Sequence, residues 1–400
     1  MIEGDELWAT LARTPSLDAP TLRALALRLA DDAALSAGCA LLLTRTASEL
    51  TSLGVKPRAA AWLTAPRHDL INADLAARER HGLQLLPSIE PLYPAQLAQQ
   101  AGAPPVLWLR GSAAVLSRAQ LAIVGTRNPT ATGRSTAYDF SAYCTRGGLL
   151  VTSGLALGID AAAHQGALAS GGATVAVCGT GLARCYPREH LGLAEHIVAA
   201  GGALVSELPP DSPPASRHFP DRNRILSGLS RGVLVVEAAR RSGSLITARH
   251  AGEQGREVFA IPGSIHNPLS RGCHQLLRDG ATLVESAAEV FLELNIPDLN
   301  QRFISSSGNA AAADVAAQAL DKGTEILLHA VAFEPTSVDT LAVRTGLASQ
   351  LVVSMLLLLE LEGKVAPQPG GRYIRLRGDA VRPSGVRASA ARSAPTNGKT

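Results

Sequence analysis

The 400-residue sequence is poor in several features that would have narrowed its function at once. It has no large charge of one sign: 37 basic against 34 acidic side chains leave +3, too little to argue for a polyanion partner without local clustering. It has no long apolar run. The most apolar stretch, Leu351 to Leu359, contains Ser354, runs into Glu360, and falls well short of the roughly 20 residues that cross a bilayer. Its first residues, Met1-Ile2-Glu3-Gly4-Asp5-Glu6, are acidic where a secretory signal is basic, so the expectation is a cytoplasmic protein without a membrane-spanning segment. Cysteine is scarce. Cys39, Cys144, Cys178, Cys185 and Cys273 are odd in number and show no Cys-x-x-Cys spacing, which speaks against a disulfide framework or a zinc site and for small buried residues.

Familiar catalytic motifs are also missing. Gly179-Thr180-Gly181-Leu182-Ala183-Arg184 puts Arg where the dinucleotide fingerprint needs a small residue. Gly398-Lys399-Thr400 resembles the end of a Walker A loop, but Ser393 replaces its first glycine. Gly228-Leu229-Ser230-Arg231-Gly232 spells Gly-x-Ser-x-Gly, yet it leads from a helix into a strand, the reverse of a nucleophile elbow. His-Glu-x-x-His is absent, and Asp160, Glu207 and Glu237 stand too far apart in sequence to suggest a magnesium cluster. Neither a metal nor a cofactor is implied.

At 46% hydrophobic and 18% charged residues the chain is an ordinary globular protein, and its length predicts two to three domains of about 150 residues. Residues 1–85 read as short helices interrupted by Pro15, Pro20, Gly38 and Gly54. In residues 86–296, apolar runs from Leu121, Leu149, Ala173, Ala203, Gly232, Glu257 and Thr282 alternate with helix-length segments, the pattern of an α/β fold with a mostly parallel, Rossmann-like sheet. Residues 297–321 have linker composition. Residues 322–377 show three helical segments and a hairpin, the order of a winged helix, and 378–400 read as a basic disordered tail.

Ligands of open α/β sheets bind beyond the carboxyl ends of the strands, so the residues after each apolar run are the informative ones. These are Gly125-Thr126-Arg127, Ser153-Gly154 through Gly158 to Asp160, and Gly179-Thr180-Gly181. Such glycines admit a phosphate close to the backbone at a helix N-terminus, or simply make the turn. The densest signal is Ser216-Arg217-His218-Phe219-Pro220-Asp221-Arg222-Asn223-Arg224-Ile225-Leu226-Ser227-Gly228, where three arginines and an aromatic meet a helix start. Arginine forks suit phosphate and a ring face suits a base, which is how single strands are held; the bland alternative is a solvated helix start with one arginine paired to Asp221. Arg240-Arg241-Ser242-Gly243-Ser244 forms a second basic helix start. His164 reads as a packed helix histidine.

These segments, with Tyr186-Pro187, Ser206-Glu207, Val236-Glu237-Ala238, Leu245-x-Thr247-Ala248 and Ala260-x-Pro262-Gly263, run collinearly from about Tyr93 to Glu285 and resemble the DprA/Smf family, the DNA-processing proteins of natural transformation. Arg217 stands where relatives commonly have lysine, and His274 where they have asparagine. The resemblance implies an N-terminal module of sterile-alpha-motif or helix-hairpin-helix type, a C-terminal winged helix, and a non-enzymatic role. Members bind and shield incoming single-stranded DNA and load the RecA recombinase onto it as dimers, through a Gly-Ser/Thr-Arg motif that looks here like Gly125-Thr126-Arg127.

The expected strand-binding residues are Gly125, Thr126, Arg127, Ser153, Gly154, Gly158, Arg217, Phe219, Arg222, Asn223, Arg224, Arg240, Ser242, Gly243 and Ser244. Ala348 to Ser354, where a DNA-reading helix should start with basic or amide residues, has almost none, so protein contact or weak duplex binding is expected of the winged helix. The rival reading is a phosphoribohydrolase-like nucleotide enzyme on a similar core, but its Pro-Gly-Gly-x-Gly-Thr-x-x-Glu signature is missing between Glu237 and Thr247.

Overall fold

The computed structural model describes residues 4–30, 35–297, 327–331, 335–347, 349–361, 364–368 and 371–376. Residues 1–301 cluster as one compact unit and 302–400 as a second. The expected tail and all of the expected linker except Pro297 lie outside the described residues.

The first unit opens with helices α1 (Asp5–Ala12), α2 (Ala19–Leu29), α3 (Leu35–Leu42), α4 (Ala47–Ser52), α5 (Pro57–Thr64) and α6 (His68–His81). Local chemistry sets their starts. Asp18 caps α2 by accepting from the Thr21 N–H at 3.0 Å, and Thr46 and Glu49 form a reciprocal capping box on α4. Leu7, Leu11, Leu22, Leu42, Leu50 and Leu63 form a core with Val106, so the helical module and the sheet share buried surface.

Nine strands follow: β1 (Gln84–Pro87), β2 (Val106–Gly111), β3 (Gln120–Val124), β4 (Leu150–Ser153), β5 (Thr174–Val177), β6 (Ala203–Ser206), β7 (Gly232–Val235), β8 (Glu257–Ala260) and β9 (Thr282–Leu283). They make one sheet in the order β1-β2-β6-β5-β4-β3-β7-β8-β9. The seven strands from β6 across to β9 are parallel, and β2 and β1 extend the β6 edge antiparallel. Side chains alternate between faces. Ala122 and Val124 enter one core while Leu121 and Ile123 enter the other, which is why both faces of a central strand such as β3 carry apolar side chains. The crossover helices are α8 (Ala131–Arg146), α9 (Ile159–Ala169), α10 (Leu191–Ala199), α11 (His218–Leu229), α12 (Ser244–Glu253) and α13 (Arg271–Arg278); α14 (Ala287–Glu293) follows β9, and the short α7 (Ala95–Ala98) precedes β2. From β3 the chain winds one way through β6 and the other way through β9. The carboxyl ends of β3 and β7 therefore flank the topological switch point, where a crevice is expected.

In the second unit, residues 327–330 are helical, α15 (Val338–Thr345) and α16 (Ser349–Leu361) follow, and β10 (Thr336–Ser337), β12 (Arg372–Arg375) and β11 (Val365–Gln368) form an antiparallel sheet. This is the winged-helix order, with β10 added. Leu327, Leu341, Val352, Leu356, Leu359 and Val365 make its core. No described helix is long and apolar enough to cross a membrane.

Candidate nucleic-acid interface

The loop after β3 is pinned from beneath. The Thr126 N–H donates to the Glu237 carbonyl at 2.7 Å, and the Ile159 N–H donates to the Thr126 carbonyl at 3.2 Å. The buried Glu237 carboxylate accepts from the Thr130 N–H at 2.9 Å and its hydroxyl at 2.6 Å, and that hydroxyl in turn caps α8 through the Gly133 N–H at 2.9 Å. Arg127, between these anchors, stays exposed. Gly158 closes the arrangement at φ 83°, where an added Cβ would stand 2.5 Å from the carbonyl oxygens of both Thr126 and Arg127. No other residue fits there.

One wall of the resulting crevice is aromatic. Phe219, in the first turn of α11, lies against Gly179, where an added Cβ would come within 2.7 Å of its ring. Tyr186 packs on the same ring at 5.4 Å between centroids, and the Arg127 guanidinium sits 5.5 Å from the Phe219 centroid, within cation–π range. Across from it, the start of α12 presents Arg241, Ser242, Gly243 and Ser244, with the two serine hydroxyls 2.7 Å apart. The cleft between has a volume of about 590 Å³.

Its floor holds a buried charge system. Arg222 donates through Nη1 to the carbonyls of Gly154 at 2.8 Å and of Val177, and through Nε to Asn223 at 3.2 Å. Asp160 accepts from the N–H groups of Gly154 at 3.1 Å and Ala156 at 3.3 Å. Burial pushes the Asp160 carboxyl upward against the opposing charge of Arg222, and burial likewise pulls the Arg222 guanidinium down. Gly154 leaves room for both, since an added Cβ would fall about 2.6 Å from each. Three arginines (Arg127, Arg222, Arg241) and one carboxylate, Asp160, thus line the cleft, which favours an anion.

Of the residues singled out in the sequence, Gly125, Thr126, Arg127, Phe219, Arg222, Asn223, Ser242, Gly243 and Ser244 line the cleft. Ser153, Gly154 and Gly158 lie behind it; the Ser153 hydroxyl is buried and donates to the Ile123 carbonyl at 2.6 Å. Arg217 and Arg240 are exposed but do not line it. Arg224 needs a correction. Its side chain turns away, pairs with Glu207 at 2.8 Å and donates to the Gly102 carbonyl at 2.9 Å, because one helix start cannot aim three nearby arginines the same way. Gly102 also donates its N–H to Asp18 at 2.9 Å, so Arg224 ties α11 to the helical module. The expected strand-binding residues include Arg240 and not Arg241, Ser216 or Tyr186, although the second basic helix start, the arginine-rich segment and the Tyr186-Pro187 motif had each marked one of these three.

Residues 84–295 match the family model described as DNA recombination-mediator protein A, and residues 311–371 match the DprA winged helix domain. The chain belongs to the DprA/Smf family. It is 44% identical over 325 residues to Protein Smf of Escherichia coli (strain K12), covering 80% of this chain and 84% of that protein. It is 43% identical over 230 residues to DNA processing protein DprA of Bacillus subtilis (strain 168), covering 57% of this chain and 76% of that one. Among solved structures, the X-ray structure of DprA from Streptococcus pneumoniae matches with a TM-score of 0.62 and 34% identity, covering 73% of this chain and 99% of that one. Membership agrees with the Rossmann-like DprA core and the winged helix described above.

Proposed function

We propose that this DprA/Smf member grips single-stranded DNA in the switch-point cleft, shields it, and loads RecA onto it as a cytoplasmic homodimer, by binding rather than by catalysis. The observation that carries the reading is Arg127 set over Phe219 between two helix N-termini, a charge for a phosphate beside a ring for a base. A duplex keeps its base faces stacked inside and has none to offer Phe219; a single strand does. The recombination part of the reading is supported by the family's description as a recombination mediator and by the DNA-processing names of its relatives. A binding role is supported by Asp160, the one acid among the described residues that line the cleft, whose Oδ2 already accepts two backbone N–H groups. In the winged helix, α16 exposes Leu351, Val353 and Leu357, which supports protein contact there over groove reading.

The test is binding of a labelled oligothymidylate to the full chain with unlabelled duplex as competitor and no nucleotide added. Retained binding in excess duplex is expected; displacement by duplex at equal concentration, or turnover of a nucleoside monophosphate, would overturn the reading.

A further inference from the structure

The cleft occupies the carboxyl ends of β3 and β7. At their amino ends, a second cavity of about 350 Å³ lies between the segment around α7 and the residues that lead into these two strands. That volume is within the range of about 300–1,000 Å³ usual for small-ligand sites. Arg118, two residues before β3, and Arg231, one residue before β7, both line it and are both exposed. Arg256, one residue before β8, stands beside them and donates to the Gln96 carbonyl at 3.3 Å. None of the ion pairs among the described residues involves these three arginines. Burial and the charge of Arg231 both disfavour the charged form of Arg256, so an anion here would relieve a repulsion.

One further atom points to a ligand. Gln96 Oε1, on a cavity-lining side chain, is buried without a hydrogen-bond partner among the described residues. Buried polar groups are paired in the great majority of cases, and an orphan on the cavity wall marks a place where an occupant completes the bonding. Apart from Ser117, the remaining walls, Pro91, Pro94 and Leu229 among them, are flat or apolar.

We propose that this cavity holds a nucleotide unit: its phosphate on Arg118 and Arg231, its base against the proline wall within reach of the Gln96 amide. The same chemistry is offered by a free nucleotide and by one residue of a polynucleotide, and the two sources are separable.

The full-length Arg118→Ala/Arg231→Ala variant is compared with the unmodified chain and with Arg127→Ala. Two probes are used: a fluorescent N-methylanthraniloyl AMP, and a pair of labelled oligothymidylates, one short and one long. Either the AMP derivative binds and its affinity falls at least tenfold in the double variant, identifying a free nucleotide, or the affinity gained from short to long oligomer falls at least tenfold, identifying a polynucleotide. Arg127→Ala retains whichever effect is seen. If neither probe distinguishes the double variant from the unmodified chain, or if neither probe binds the unmodified chain, the proposal is wrong. Failure of the cleft reading looks different: short-oligomer binding is absent, or is unaffected by Arg127→Ala. Should the alanine pair melt at a lower temperature, Arg118→Gln/Arg231→Gln repeats the comparison with side-chain volume kept.

Discussion

The guanidinium of Arg127 stands 5.5 Å from the centre of the Phe219 ring, and the two, one on the loop after β3 and the other in the first turn of α11 more than ninety residues on, meet only because β3 and α11 border the same switch point. A base stacked on the free part of that ring would place its phosphate near the arginine.

Phe219→Ala should therefore weaken oligothymidylate binding by about 1–3 kcal/mol, roughly fivefold to 150-fold, with little change in salt dependence. Gly179→Ala should act in the same direction, because its Cβ would come within 2.7 Å of the Phe219 ring and displace it. Anisotropy titrations at one salt concentration check both. Wild-type affinity in Phe219→Ala would remove the ring from the site.

Arg222 is expected to matter for folding before it matters for binding. Arg222→Met leaves the Gly154 and Val177 carbonyls unpaired and Asp160 buried without its cation, a loss of about 3–5 kcal/mol on the pattern of broken buried pairs. Urea unfolding followed by circular dichroism measures it, and a change below 1 kcal/mol on the order-of-magnitude scale of single hydrogen bonds would contradict the account.

For Arg224 the expectation is the reverse of what its place in the sequence suggests. Removing its bonds to Glu207 and Gly102 should cost about 1–3 kcal/mol of stability, in line with charge-assisted hydrogen bonds, while oligothymidylate affinity stays within about twofold. A large affinity loss in Arg224→Ala, with unchanged stability, would return this residue to the binding surface.

His164 gives a pH signature. Burial, with smaller contributions from the charges of His190 and Arg222, pulls it from 6.5 to about 3. Above pH 6.5 neither the native nor the unfolded state is protonated there, so it has no effect. As pH falls below 6.5 the unfolded chain takes up a proton that the native state refuses until about 3, and stability declines by up to about 1.4 kcal/mol per pH unit in that window. Asp160 acts oppositely, since its raised carboxyl takes a proton earlier in the native state. Urea midpoints from pH 7 to pH 4 should therefore fall less steeply in His164→Gln than in the unmodified chain, and parallel curves would rule the effect out.

What could be read in advance follows from the range of the forces involved. Strands β3 to β7 are legible because both faces are buried, and continuous apolar runs such as Leu121–Val124 have no other use. Gly125-Thr126-Arg127 is legible as a site because it directly follows such a strand. The direction of a side chain is not legible in this way. Arg222 and Arg224 are two residues apart on α11, yet one faces the carbonyls behind the cleft and the other faces Glu207, and only the packed neighbours decide which. Arg241 lines the cleft and Arg240 does not, a one-residue distinction set by how α12 begins. Glu237 holds the Arg127 loop from a strand end 110 residues further along the chain, a contact without local signal.

The central claim, that a single strand lies with its phosphates on the arginines of the switch-point cleft, is tested most directly by the salt dependence of oligothymidylate binding in the unmodified chain and in Arg127→Ala/Arg241→Ala. With each arginine meeting one phosphate, the slope of log affinity against log salt should become shallower by about 1.4 in the double variant. An unchanged slope, with the fold intact, would show that the strand is held elsewhere.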